Sequence, residues 1–156
     1  MKTNLVSILF FCSVSCTSLP AQSTSDVTVN KASIISIADC KSISRLDAFF
    51  IDSGIMFRIG VTPEFITKNF SYKVSLNDIE AWGGREALCG HLTAILSSDE
   101  KRNFDFRYAL IGYNKTGDEI FSVYIDNLSR AAKVNGVNAL IDSKFKEWLV
   151  QVFPKP

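Results

Sequence analysis

The sequence predicts an α+β fold in which an antiparallel sheet built from hairpins packs against a middle helix at about 85–96 and a C-terminal helix at about 143–152. Three observations predict it. Residues 104–126 (FDFRYALIGYNKTGDEIFSVYID) read as two long strands around Asn114-Lys115-Thr116-Gly117, a type I turn closed by a glycine in the left-handed region. Asn135-Gly136 suits both positive-φ positions of a type I′ turn and marks a further hairpin. Two stretches carry apolar residues at helical spacing: Leu88, Leu92, Ile95 and Leu96 in one, and Phe145, Trp148, Leu149 and Val152 in the other.

Taken from the N-terminus, Lys2, an apolar run at 5–14 and the small Ala21 before Gln22 predict a signal peptide over residues 1–21. The run falls short of the ~20 apolar residues that a membrane span requires. Val14-Ser15-Cys16 resembles the end of a bacterial lipoprotein signal, with Ser13 where that pattern has leucine, so lipid attachment at Cys16 is the alternative to release. Residues 22–31 are rich in Ser and Thr and predict a flexible lead-in to a single α+β domain over 32–156. Within it, 33–38 reads as a short strand before Asp39-Cys40, and 46–51 and 55–61 as a hairpin around Asp52-Ser53-Gly54. Thr62-Pro63-Glu64 starts a short helix, with a capping hydroxyl, a proline at the first turn and a carboxylate at the positive end of the dipole. Residues 72–76 alternate and return to strand. Asp142 or Ser143 caps the last helix, and Pro154 ends it.

Turn chemistry predicts a register for the central hairpin. Asn114 facing Asp118 sets Ile111 opposite Phe121, Ala109 opposite Val123 and Arg107 opposite Ile125 on one face. The other face then pairs Gly112 with Ile120, Leu110 with Ser122, Tyr108 with Tyr124 and Phe106 with Asp126. The C-terminal helix is expected to cover the Ile111, Phe121, Val123 side, where burying its four apolar side chains would contribute about 6 to 12 kcal/mol before entropy. That leaves Phe106, Tyr108, Leu110, Ile120 and Tyr124 as the candidate binding surface, since opposed tyrosines supply rigid contact area with polar tips. The competing reading is that another layer of the same domain covers this face.

Composition narrows the function classes. The net charge is +1, and Lys and Arg are scattered among carboxylates, so no nucleic-acid partner is expected. Cys12 and Cys16 lie in the predicted signal, leaving Cys40 and Cys89 to form a disulfide in an oxidising compartment and tie the first strand to the middle helix. Closing so long a loop is worth about 4 kcal/mol in the chain-entropy model. His91, the one histidine, stands two positions from Cys89; on a helix the two side chains point to nearly opposite sides, which argues against a shared site. The carboxylates at Asp47, Asp52, Glu64, Asp78, Glu80, Glu86, Asp105, Asp118, Glu119, Asp126 and Asp142 mostly sit at turns and helix starts, and nothing selects a catalytic pair. Gly83-Gly84-Arg85 lacks the phosphate-loop and dinucleotide patterns. No catalytic residue, metal ligand or cofactor is therefore expected.

These readings converge on a small exported binding protein of the bacterial envelope, periplasmic or secreted, of inhibitor or immunity type. Its expected partner is a protein, with membrane contact only through a lipid anchor at Cys16. The alternatives are an envelope hydrolase with a carboxylate-based site and a structural or assembly lipoprotein. Asn-x-Ser/Thr sequons at Asn69, Asn114 and Asn127 keep a eukaryotic secretory origin open.

Overall fold

The computed structural model describes residues 33–52, 54–77, 79, 84–99 and 103–153. The expected signal peptide, the lead-in and Cys16 lie outside the described residues, as do Gly83 and Pro154. Element order is α1 (Ile37–Ser42), β1 (Arg45–Phe50), α2 (Pro63–Lys68), β2 (Tyr72–Leu76), α3 (Gly84–Thr93), β3 (Leu96–Ser97), β4 (Phe106–Tyr113), β5 (Glu119–Asp126), β6 (Ala131–Val134), β7 (Val137–Leu140) and α4 (Ser143–Val152). The strands form one antiparallel sheet in the order β2-β1-β4-β5-β6-β7-β3, with helices packed on it: an α+β fold.

Local chemistry explains most boundaries. Thr62 caps α2, accepting from the Phe65 N–H, with Pro63 in the first turn. Asp142 caps α4 through the Lys144 N–H. Asn135 (φ 49°) and Gly136 (φ 81°) make the β6–β7 turn, and Gly117 (φ 89°) closes the β4–β5 turn, whose Asn114 N–H donates to the Asp118 carbonyl.

Two segments depart from the expected strands. Residues 37–42 are helical because Ser36 and Asp39 form a capping box, each side chain accepting from the other's backbone N–H. That local signal overrides the β-branched run before it. Residues 55–61 form no strand, because β1 already has β2 on one edge and β4 on the other, which leaves no ladder for a hairpin partner. The middle helix ends at Thr93, so Leu96 belongs to β3 and is largely exposed, whereas Leu88, Leu92 and Ile95 are buried.

The Cys40–Cys89 disulfide is present and joins α1 to α3, so it links two helices rather than a strand and a helix. It is consistent with a non-cytoplasmic location.

The predicted register holds at both ends of the central hairpin and fails between them. Phe106 faces Asp126 as expected, but Tyr108 faces Ile125, Ala109 faces Tyr124, Leu110 faces Val123, Ile111 faces Ser122 and Gly112 faces Phe121. The cause is a pair of irregularities: one residue too many on β4 at Arg107, and one too many on β5 at Ile120. Each shifts the alternation by one, so side chains two apart across it fall on opposite faces.

The first face carries Leu46, Ala48, Phe50, Tyr108, Leu110, Phe121, Val123 and Ile125, in one core with Leu88 and Leu92 of α3 and Phe145 and Leu149 of α4. The second carries Phe49, Phe106, Ala109 and Ile111 with Ile66 of α2. Helix α4 therefore covers Phe121 and Val123 but not Ile111. Phe145 and Leu149 are fully buried while Trp148 and Val152 pack at the margin, so the α4 contribution sits toward the lower end of the expected range.

Gly112 lies directly beneath the Phe121 ring, where any added Cβ would overlap ring carbons. Gly112→Ala is expected to lower stability by about 1 to 3 kcal/mol, the usual range for overpacking. A fall in the urea midpoint with an unchanged m-value is the measurement that checks it.

Candidate binding surface

The five expected binding residues do not form one surface. Tyr108 and Leu110 are buried on the first face, where Ile120 also packs, while Phe106 and Tyr124 belong to the second. The two tyrosines are not opposite each other, and the irregularities at Arg107 and Ile120 are the reason. The covering layer weighed in the sequence is the arrangement found for Tyr108 and Leu110.

On the second face, loop 55–61 and α2 lie over β1 and β4. Aromatic side chains fill the layer: Phe57 meets Phe65 edge-on at 5.2 Å, Phe49 meets Phe70 at 5.4 Å, and Phe104 stacks on Phe106 at 4.9 Å between centroids. Tyr124 follows at 5.9 Å from Phe106, and burial, with Glu119 adding to it, pushes its phenol above the ordinary value.

Outside this layer the loop turns apolar residues to water. Met56 is 93% exposed and Ile59 82%, with Ile55 and Phe65 partly exposed beside them. Leu128 is as exposed but stands away from them in sequence, on the turn after β5. Burying a side chain of this size is worth about 1.5 to 3 kcal/mol, so something must hold the loop against collapse.

Two anchors do so. Arg107, only 5% exposed, donates from Nη1 to the carbonyls of Asp52 (3.0 Å) and Ile55 (2.7 Å), and from Nε to the Asp105 carboxylate (2.9 Å). Its guanidinium lies 5.0 Å over the Phe57 ring. At the far end, the Phe106 N–H donates to the Val61 carbonyl and the Val61 N–H to Asp105. Gly60 there rests so close to the Phe104 carbonyl that no side chain fits between them. Asp105 is fixed in turn, its N–H donating to the Asp126 carboxylate at 2.9 Å. The bulged residue of β4 thus becomes the loop's anchor.

The remaining candidates have structural occupations. Asp126 is buried and also accepts from the N–H groups of Leu128 and Ser129 and from the Ser129 hydroxyl. Asp47 is buried against Lys73 at 2.8 Å. Asp118 ties the β4–β5 turn through Asn114 and Thr116, whose hydrogen bonds hold its carboxyl below the usual range. Glu64 is lowered first by a backbone hydrogen bond and then by the Thr62 hydroxyl. Arg85 donates from Nη1 to the carbonyls of Lys41 and Ile43 and so closes the C-terminus of α1. Among the described residues no cluster of three or more His, Cys, Asp or Glu is placed to hold a metal ion, and no helix is long and apolar enough to cross a membrane.

His91 packs against α4, 5.6 Å from the Phe145 ring and 5.2 Å from Trp148. Burial lowers its pKa from 6.5, opposed by Asp142. The folded state therefore binds the proton less readily than the unfolded chain. Its contribution is complete above about pH 6.5 and is expected to diminish as the pH falls below that value toward the lower folded pKa. Urea midpoints between pH 7.5 and 5 should decline for the wild type and lose that component in His91→Phe.

Removing the loop's anchor is the second test. Arg107→Met leaves two carbonyls without their donor but a partly exposed Asp105 that water can solvate, so the expected loss is about 2 to 4 kcal/mol. Hydrogen exchange should accelerate at the amides of loop 54–59 while β4 and β5 stay protected.

Comparison with known proteins adds no assignment: no family model, curated protein or solved structure matches the chain.

Proposed function

We propose that the chain is a small exported protein that binds another protein, as an inhibitor or immunity-type partner, through loop 55–61 and the flanking face of α2. The observation that carries this reading is the pairing of Met56 and Ile59, both turned to water, with a loop fastened at each end to a seven-stranded sheet. Apolar side chains presented on a fixed backbone lose little conformational freedom on binding, the condition under which buried area becomes affinity.

The disulfide supports an oxidising compartment, and the apolar run at 5–14 supports export by a cleaved signal, with lipid attachment at Cys16 as the alternative route. The hydrolase reading has less support, because the described carboxylates discussed above are taken up by caps, turns and ion pairs. No separate observation favours a structural lipoprotein.

Met56→Asp/Ile59→Asp should abolish retention of a stoichiometric protein partner by the immobilised, disulfide-bonded protein, with the melting temperature unchanged because neither side chain contributes to the core. Retention equal to that of the wild type would sink this assignment of the surface.

A further inference from the structure

Two open depressions flank the ridge formed by residues 58–62. One, of about 370 Å³, is floored by Phe57, Val61 and Phe65; the other, of about 560 Å³, by Val61, Pro63, Phe104 and Phe106. Arg58 borders both, and Lys133 closes the rim of the second. No carboxylate lines either among the described residues. Arg58 is exposed, and no ion pair holds it among the described residues. Glu64 lies within the field of Lys133 and Lys68 at the start of α2, where the helix N-terminus and Thr62 already stabilise its charge.

An apolar floor alone would accept any apolar group. Cations at its rim discriminate, since they favour an approaching carboxylate and repel a basic segment. Concave depressions of about 370 and 560 Å³ also suit the inserted side chains of a peptide better than the flat face of a bilayer. We propose that the surface takes an acidic, apolar peptide segment of its protein partner, with a Leu, Met or Phe side chain seated beside Phe57 and Phe65 and its neighbouring carboxylates set against Arg58 and Lys133. The inference rests on the protein-binding reading and adds the chemistry of what is bound.

The test is selection of random dodecapeptides displayed on phage against the disulfide-bonded protein, with the Met56→Asp/Ile59→Asp variant used to subtract binders that attach elsewhere. The selected pool should place Asp or Glu beside Leu, Met or Phe. A synthetic member of it should bind Arg58→Glu/Lys133→Glu on the order of tenfold more weakly and lose affinity with added salt, while that variant melts like the wild type. The same peptide with Lys in place of its acids should regain affinity for the charge-reversed variant. A neutral or basic pool overturns the inference and leaves protein binding standing. A selection in which subtraction on Met56→Asp/Ile59→Asp removes every binder overturns both. Binding to phosphatidylglycerol vesicles that Met56→Asp/Ile59→Asp abolishes, without peptide enrichment, overturns the inference in favour of a lipid surface.

Discussion

The guanidinium of Arg107 is the interaction on which the second face of the sheet depends. A cation removed from water is costly unless its donors are satisfied, and here they meet two backbone carbonyls and a carboxylate while the flat face rests on Phe57. The partners come from separate stretches of chain, the turn after β1 and the residues just before β4. Through Asp105 the connection continues to the Asp126 carboxylate at the end of β5. One buried charge therefore fixes how the irregular loop lies on the strands, and with it the side of the sheet that α2 can reach.

The two faces of the sheet are finished differently. Helices α3 and α4 seal the first with a large aliphatic and aromatic core, and the disulfide holds α1 to α3 at its border. The second is sealed by a six-residue helix and an irregular loop, which bury Phe49, Ile66, Phe106 and Ile111 but leave their own outer side chains uncovered. Helices bury a continuous stripe and present polar residues outward, whereas a loop has no such periodicity. Met56 and Ile59, each more than four-fifths exposed, belong to that loop.

Features set by a few adjacent residues were legible in the sequence. The hairpin turns at Gly117 and at Asn135-Gly136, the caps at Thr62 and Asp142 and the bounds of α4 depend on local backbone chemistry, and they stand where that chemistry put them. The Cys40–Cys89 pairing followed from counting. What was not legible depends on neighbours distant in sequence. The extra residue at Arg107 is meaningful only against β5, and it separates Phe106 from Tyr108, which alternation alone would place together. Residues 55–61 have strand composition, and only the sheet order shows that β1, the strand before them, is already paired on both edges. A signal did exist in the central hairpin: an arginine among apolar residues, at a position that would otherwise face a core, marks a place where regular alternation is broken.

Gly60 divides the loop into parts with unequal freedom to change. Beside the Phe104 carbonyl there is no room for a side chain, and Arg107 is held by two carbonyls and the Asp105 carboxylate, whereas Met56 and Ile59 have more than four-fifths of their surface in water. Residues that determine the loop's shape are thus separate from residues that determine what it meets. Substitution at the tips can alter recognition with little loss of folding stability. Such a scaffold could follow a changing counterpart through successive single replacements, each fold-neutral, without passing through an unstable intermediate sequence.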